Sequence, residues 1–207
     1  MKTLTALLLG LITLIAACVP PSTGTDCDSI KKQALRDTCY AEVGIVRQDV
    51  NLCDMASDSR TKFYCYTKVA QATRAPALCE LVKDLYWQPI CFRELGAALG
   101  DEAICDKVAD PKLQNACFFD IAESTGDPQL CRRIIGDWQQ FYRCFDDAAI
   151  DQQNVSVCFE LEDDLARDRC IFGLAKNTSN SSLCSLMAFN QTNEICVERI
   201  SPTTASS

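Results

Sequence analysis

Histidine is absent from this 207-residue chain, and with it go the Ser-His-Asp and Cys-His arrangements that make a nucleophile. No C-x-x-C occurs, and among fourteen of the fifteen cysteines no two stand closer than 12 residues, so a zinc knuckle and a disulfide-exchange motif are both missing. Glycine is scarce, at eight residues, and none builds a phosphate-cradling loop. Basic side chains number 20 against 28 acidic ones and form isolated pairs such as Lys31-Lys32 and Arg132-Arg133, which disfavours nucleic acid and anionic lipid surfaces as partners. The carboxylate pairs Asp146-Asp147 and Asp163-Asp164 are neighbours on predicted helices, where adjacent side chains diverge, so they read as solvated faces and caps rather than an acid-base pair. The sequence predicts no enzyme, no metal site and no cofactor.

What it has is a ruler of cysteines. From Cys27 the steps run Cys39, Cys53, Cys65, Cys79, Cys91, Cys105, Cys117, Cys131, Cys144, Cys158, Cys170, Cys184 and Cys196, alternating 12 and 14 residues, with one inserted residue between Cys131 and Cys144. A fixed period of 26 residues means one supersecondary unit copied seven times and stacked.

Superimposing the repeats assigns each position. The residue before the first cysteine (Asp26, Leu52, Leu78, Ile104, Leu130, Val157, Leu183) and the third after it (Ile30, Ala56, Val82, Val108, Ile134, Leu161, Met187) form with the cysteine one apolar stripe, predicting a helix of about two turns. After the second cysteine come Tyr40, Tyr66, Phe92, Phe118, Phe145, Ile171 and Val197; three further on stand Val43, Val69, Leu95, Ile121, Ala148, Leu174 and Ile200. Next comes a small residue: Gly44, Ala70, Gly96, Ala122, Ala149, Ala175, Ser201. A small residue recurring at one place on a helix predicts close approach by the neighbouring repeat.

Punctuation agrees with two helices per repeat, of roughly 8 and 14 residues. Asp58, Asp84, Asp110, Asp137 and Asp163 stand where they would cap the second helix; Asp49, Asp101, Asp127, Asn154 and Asn180 stand where they would cap the first. Gly100 and Gly126 read as stops, and Pro76, Pro111 and Pro128 follow cap positions directly. Pro89, five residues after Asp84, predicts that the second helix of repeat three starts late or kinks. The fold class is therefore all-α, an α-solenoid of seven helical hairpins over 27–200. A single hairpin of this size is too small to fold alone.

Helix lengths do not separate pairing within a repeat from pairing across the longer loop. Counting does: within-repeat bonds satisfy all fourteen cysteines, whereas between-repeat bonds strand Cys27 and Cys196. The predicted pairs are Cys27–Cys39, Cys53–Cys65, Cys79–Cys91, Cys105–Cys117, Cys131–Cys144, Cys158–Cys170 and Cys184–Cys196, each worth on the order of 2 to 3 kcal/mol through the loop it closes.

The fifteenth cysteine belongs to the N-terminus. Lys2 precedes an apolar run from Thr5 to Ala17, short for a membrane span, which needs about 20 residues, and read as a signal peptide over 1–17. Its end, Leu14-Ile15-Ala16-Ala17-Cys18, resembles a prokaryotic lipobox, which implies a diacylglycerol on the Cys18 sulfur, cleavage before it and a membrane anchor; ordinary secretion with cleavage near Ala17 is the alternative. Removing 1–17 takes away Lys2 and no acid, leaving a net charge of about −9 where the full chain has −8. Residues 18–26, rich in Pro, Ser, Thr and Gly, read as a flexible linker, and 201–207 as a disordered polar tail.

Two sets of residues depart from the repeat pattern. Tyr86, Trp87, Trp138, Phe141 and Tyr142 place aromatics near the start of the second helices of repeats three and five, a candidate contact patch because Trp and Tyr dominate binding hot spots; the alternative is that they cover the turn or fill the core. Four Asn-x-Ser/Thr sequons, at Asn154, Asn177, Asn180 and Asn190, are candidate glycosylation sites, two of them coinciding with predicted caps.

In plan, Cys27 to about Ile200 resembles disulfide-stapled helical-hairpin repeat proteins such as the cysteine-rich Sel1-like and tetratricopeptide-type solenoids. Their repeats are longer and their signature residues differ, so the resemblance implies an architecture and carries over no ligand or site. The expected function is a lipid-anchored scaffold on the outer face of a membrane that binds a protein or peptide. The alternatives are a spacer or envelope component without a specific ligand and, more remotely, a thiol protein for metal or redox work.

Overall fold

The computed structural model describes residues 26–200. The signal peptide over 1–17, the lipidation site Cys18 with nearly all of the 18–26 linker, and the tail over 201–207 lie outside the described residues. By its internal contacts the chain divides into two compact units, Met1–Cys65 and Tyr66–Ser207.

The protein is an all-α array of seven hairpins, and each hairpin carries the disulfide predicted for it: Cys27–Cys39, Cys53–Cys65, Cys79–Cys91, Cys105–Cys117, Cys131–Cys144, Cys158–Cys170 and Cys184–Cys196, with Cα atoms 5.5 to 5.8 Å apart. The long helices, numbered by repeat, are α1 (Gln33–Arg47), α2 (Ser59–Thr73), α3 (Trp87–Leu99), α4 (Pro111–Thr125), α5 (Trp138–Asp151), α6 (Asp164–Thr178) and α7 (Asn190–Ile200). Within the second unit consecutive long helices pack side by side, α3 on α4, α4 on α5, α5 on α6 and α6 on α7.

The first arm of each hairpin is shorter than the roughly eight residues predicted for it. Val50–Asp54, Ala77–Leu81 and Glu102–Cys105 are α-helical for one turn, while Cys27–Ser29, Pro128–Arg133, Val155–Glu160 and Ser181–Leu186 are 3₁₀. The reason lies three residues after the cysteine. Ile30, Val82, Ile134, Leu161 and Met187 have extended backbone. In all seven repeats the N–H at this position donates to the carbonyl of the first cysteine, at 3.0 to 3.2 Å. From Ala56 to Met187 the side chain there is buried. The apolar spacing is real, but a 3₁₀ turn eclipses i and i+3 and produces it as well as a longer helix would.

The caps fall where the sequence puts them. Asp58, Asp110, Asp137 and Asp163 accept from the N–H three residues on, and Asp84 accepts from Tyr86 and Trp87. Asp49, Asp101, Asp127, Asn154 and Asn180 accept from the N–H two residues on. Helix α3 starts four residues before its cysteine where the other long helices start six before, the late start expected of Pro89, whose missing N–H now falls in a first turn that needs none. The residue inserted in repeat five is absorbed by Gly136, left-handed at φ 76° and open on the side where a Cβ would stand.

One regularity is invisible at the level of residue type. The ninth residue after the second cysteine is left-handed in repeats one to six: Gln48, Arg74, Gly100, Gly126, Gln153 and Ser179, at φ 50° to 71°. In five of the six this conformation turns the chain so that the following residue's N–H reaches back to the carbonyl of the small residue: Asp49 to Gly44, Ala75 to Ala70, Asp101 to Gly96, Asn154 to Ala149 and Asn180 to Ala175, at 2.9 to 3.1 Å. It is the 6→1 bond of a Schellman turn. Only Gly100 and Gly126 announce the left-handed residue in the sequence.

The small residue also brings repeats together. A Cβ on Gly44 would lie 3.1 Å from the Cys65 sulfur, and one on Gly96 would lie 2.9 Å from the Cys117 sulfur and 3.3 Å from the Cys105 sulfur. The helix backbone thus rests on the disulfide of the following repeat.

Candidate binding surface

Three repeats add a contact that the sequence reading missed. Two residues before the second cysteine stand Asp37, Asn115 and Asp168, all buried. The Asp37 carboxylate accepts from the N–H groups of Ser57 and Asp58 in the next hairpin's turn. Asp168 accepts from the N–H groups of Ala188 and Phe189 and from the Thr192 hydroxyl. Asn115 exchanges two hydrogen bonds with the backbone of Ile135. A buried acceptor here satisfies the donors of the following turn and so fixes one repeat against the next. Burial raises the pKa of Asp37, but the N–H groups of Ser57 and Asp58, the Gln33 amide and the nearby Arg36 charge outweigh it and hold the carboxyl below its ordinary value. The signal was available as an Asp or Asn at one position of the period in repeats one, four and six.

At the same position repeats three and five carry Pro89 and Tyr142, and these are the repeats with the aromatic excess. The structure places the candidate patch as two clusters. Tyr86 and Trp87 meet edge to face at 5.0 Å. Trp138, Phe141 and Tyr142 contact one another at 5.3 to 6.5 Å, and Phe141 continues to the buried Phe145. Phe141 and Tyr142 lean on the core of repeats four to seven, so they serve as its cover. Tyr86 and Trp138 do not: each is 68% exposed, beside Leu85 at 93% and Ile135 at 79%. Both turns therefore present large apolar side chains to solvent.

A groove of about 510 Å³ runs along α5, α6 and α7. Ala166 and Thr192 line it, at a position that holds Leu35, Thr61, Trp87, Leu113 and Gln140 in repeats one to five. Leu165, Phe172 and Ile195 supply apolar walls, Tyr142 closes one side, and Arg169 and Arg199 stand along it. The two carboxylates at the groove are hydrogen-bonded and keep their charge. Asp168 is buried under three bonds, and Asp163 caps α6 through the N–H of Ala166. Arg169 donates to Asp146 at 2.8 Å, whereas Arg199 has no ion pair among the described residues. Burial pushes the Asp146 carboxyl up against the opposing pull of Arg169, and its other oxygen is buried without a hydrogen-bond partner among the described residues.

Several other charges pair between repeats. Arg93 reaches Asp120, Lys107 reaches Glu80, Arg132 reaches Glu160, and Arg133 reaches Glu102 and Asp106. Asp147 pairs with Arg143 and Asp164 with Arg167, so the adjacent carboxylates each face a different partner. Among the described residues no group of three Cys, Asp or Glu is placed to hold a metal ion, and no helix is long and apolar enough to cross a membrane. The sequon asparagines Asn154, Asn177, Asn180 and Asn190 are all exposed; Asn154 and Asn180 engage their side-chain oxygens as caps.

Compared with protein-family models, with curated proteins and with solved structures, the chain matches none. Any functional reading has to come from its own surface.

Proposed function

We propose that the protein is exported, is held at the outer face of a membrane by lipid on Cys18, and uses its helical-repeat array as a non-catalytic scaffold that binds a protein or peptide. The observation that carries the binding role is the exposure of Leu85, Tyr86, Ile135 and Trp138. Large apolar side chains at two hairpin turns leave most of their surface in water, and rings of this kind dominate binding energy when a partner covers them. Export is supported by fourteen cysteines committed to disulfides, which persist in oxidising compartments.

Crosslinking in intact cells from a photoreactive residue at Trp138 tests the proposal. One recurrent partner that competes with unlabelled protein supports it. Absence of any recurrent adduct assigns the array a spacer role and overturns it.

A further inference from the structure

The inner interfaces of the array define what each face of a repeat receives, and in the first and last repeats one half of that interface stands open. We propose that the face α7 turns away from α6 receives the first hairpin of a second copy of this chain, so that copies join end to end. This surface is separate from the exposed turns at Tyr86 and Trp138, and either can fail without the other.

The apolar part of the interface is bare in both terminal repeats. The residue after the second cysteine faces the following repeat, where Lys107 lies over Phe92 and Arg133 over Phe118, and it is at most 8% exposed from Tyr40 to Ile171. Val197 has no following repeat and is 41% exposed. The opposite face is uncovered in repeat one. Second cysteines from Cys65 to Cys196 are buried, whereas Cys39 is half-buried, and Val43 is half-buried where Val69, Leu95, Ile121, Ala148 and Leu174 are buried. Repeat arrays ordinarily end on capping repeats with a polar outer face. Here Val43 and Val197 stand in their place.

The polar register selects the partner. Asp37 and Asp168, two residues before the second cysteine, each accept from two successive N–H groups of the next turn, Ser57 with Asp58 and Ala188 with Phe189. In repeat seven that position is Glu194, exposed and without an ion pair among the described residues. The matching turn of repeat one is Lys31-Lys32, with Lys32 where repeats two to six carry the capping Asp. The N–H groups of Lys31 and Lys32 have no acceptor among the described residues, and neither side chain has an ion pair there. Glu194 therefore meets two backbone donors and two cations at one turn, a set of charge-assisted bonds. Lys68 and Glu94, both third after their second cysteine, face each other at 3.6 Å, and the same register sets Arg199 against Glu42 of the second copy. Glu198 opposes the contact at one point: the pairs Arg93 with Asp120 and Asp146 with Arg169 place its position opposite Glu42 and Thr38, beside Arg199.

A single hairpin face is a small contact for a stable dimer, so the test is made at native density, with a photoreactive residue at Val197 of the full chain crosslinked in intact cells. The expected adduct has twice the mass of the chain, and peptide mapping joins position 197 of one copy to residues 31–47 of another. Glu194→Lys is expected to lower its yield about tenfold, because a like-charge contact replaces an attractive one. Lys31→Glu with Lys32→Glu is expected to do the same. The chain with all three substitutions is expected to recover the adduct, which a loss through misfolding could not do. No adduct, a link from 197 to 197, an adduct with a different protein, a link within one chain to 201–207, or no recovery in the triple variant overturns the proposal.

Discussion

Gly96 rests on the sulfur of Cys117 so closely that a Cβ on the glycine would stand 2.9 Å from it. Residues 21 apart are thereby in van der Waals contact, and the contact joins the helix of one repeat to the staple of the next. Replacement by alanine must displace a disulfide held at both ends. Gly96→Ala is expected to lose up to about 2 kcal/mol, since overpacking costs about 1 to 3 kcal/mol and the gain in helix propensity returns about 1 kcal/mol. Gly173→Ala is the control: its Cβ would meet only the flexible end of Ile150 at 4.0 Å, so it should be neutral or stabilising. Denaturant midpoints of the two variants give the comparison.

The left-handed residues at repeat junctions make an opposite pair of predictions. Gln153 and Ser179 hold φ 50° and 53°, a conformation that costs a residue with a Cβ about 1 kcal/mol. Gln153→Gly and Ser179→Gly should each raise stability by about 0.5 to 1 kcal/mol. Gly126→Ala, at φ 71° with no atom closer than 3.7 Å to the added carbon, should lose about 1 kcal/mol through backbone strain alone. A thermal melt of each variant checks the signs.

Asp168 is expected to be the costliest polar residue to remove. Asp168→Ala leaves two backbone donors of the next turn and the Thr192 hydroxyl without their acceptor, and each buried group left unsatisfied costs about 1 to 3 kcal/mol. Hydrogen exchange at the N–H groups of Ala188 and Phe189 should accelerate more than exchange elsewhere in the array.

Asp37 supplies the pH signature. Its folded pKa lies below the unfolded value, so its contribution is fully present above about pH 4 and disappears as pH falls through the folded value. The stability gap between wild type and Asp37→Asn should therefore be widest near neutrality and narrow in acid. A gap independent of pH would show that the carboxylate charge plays no part in fixing the turn at Ser57 and Asp58.

Trp138→Ser should separate binding from folding. The indole is 68% exposed and touches Phe141 and Tyr142 at the rim of the core, so the unfolding midpoint should move little, by less than about 1 kcal/mol, while the partner crosslink made from a photoreactive residue at Ile135 is lost. Trp87 is half-buried at the start of α3, and Trp87→Ser should affect both.

Period, staples, caps and the small-residue contact were legible because each requires a residue type: a thiol, an Asx acceptor, a missing Cβ. The first arm was read too long because the spacing of Leu130, Cys131 and Ile134 suits a 3₁₀ turn followed by an extended residue as well as a helix. Left-handed Gln48, Arg74, Gln153 and Ser179 carry no such mark, since the conformation is imposed by the 6→1 bond and the packing behind it. The groove was hidden for a further reason. Its lining comes from three different repeats, among them Tyr142, Phe172 and Ile195, and such side chains signal a space only once their helices are in place.

The most direct test of the account is non-reducing peptide mapping, with free thiols alkylated first, of protein taken from its native membrane fraction. The expected result is seven links, one within each repeat from Cys27–Cys39 to Cys184–Cys196, no alkylated cysteine, and an N-terminal peptide that begins at Cys18 and carries lipid. A Cys39–Cys53 link, or free thiols among the fourteen, would contradict the hairpin-by-hairpin staple and return the cysteines to the search for function.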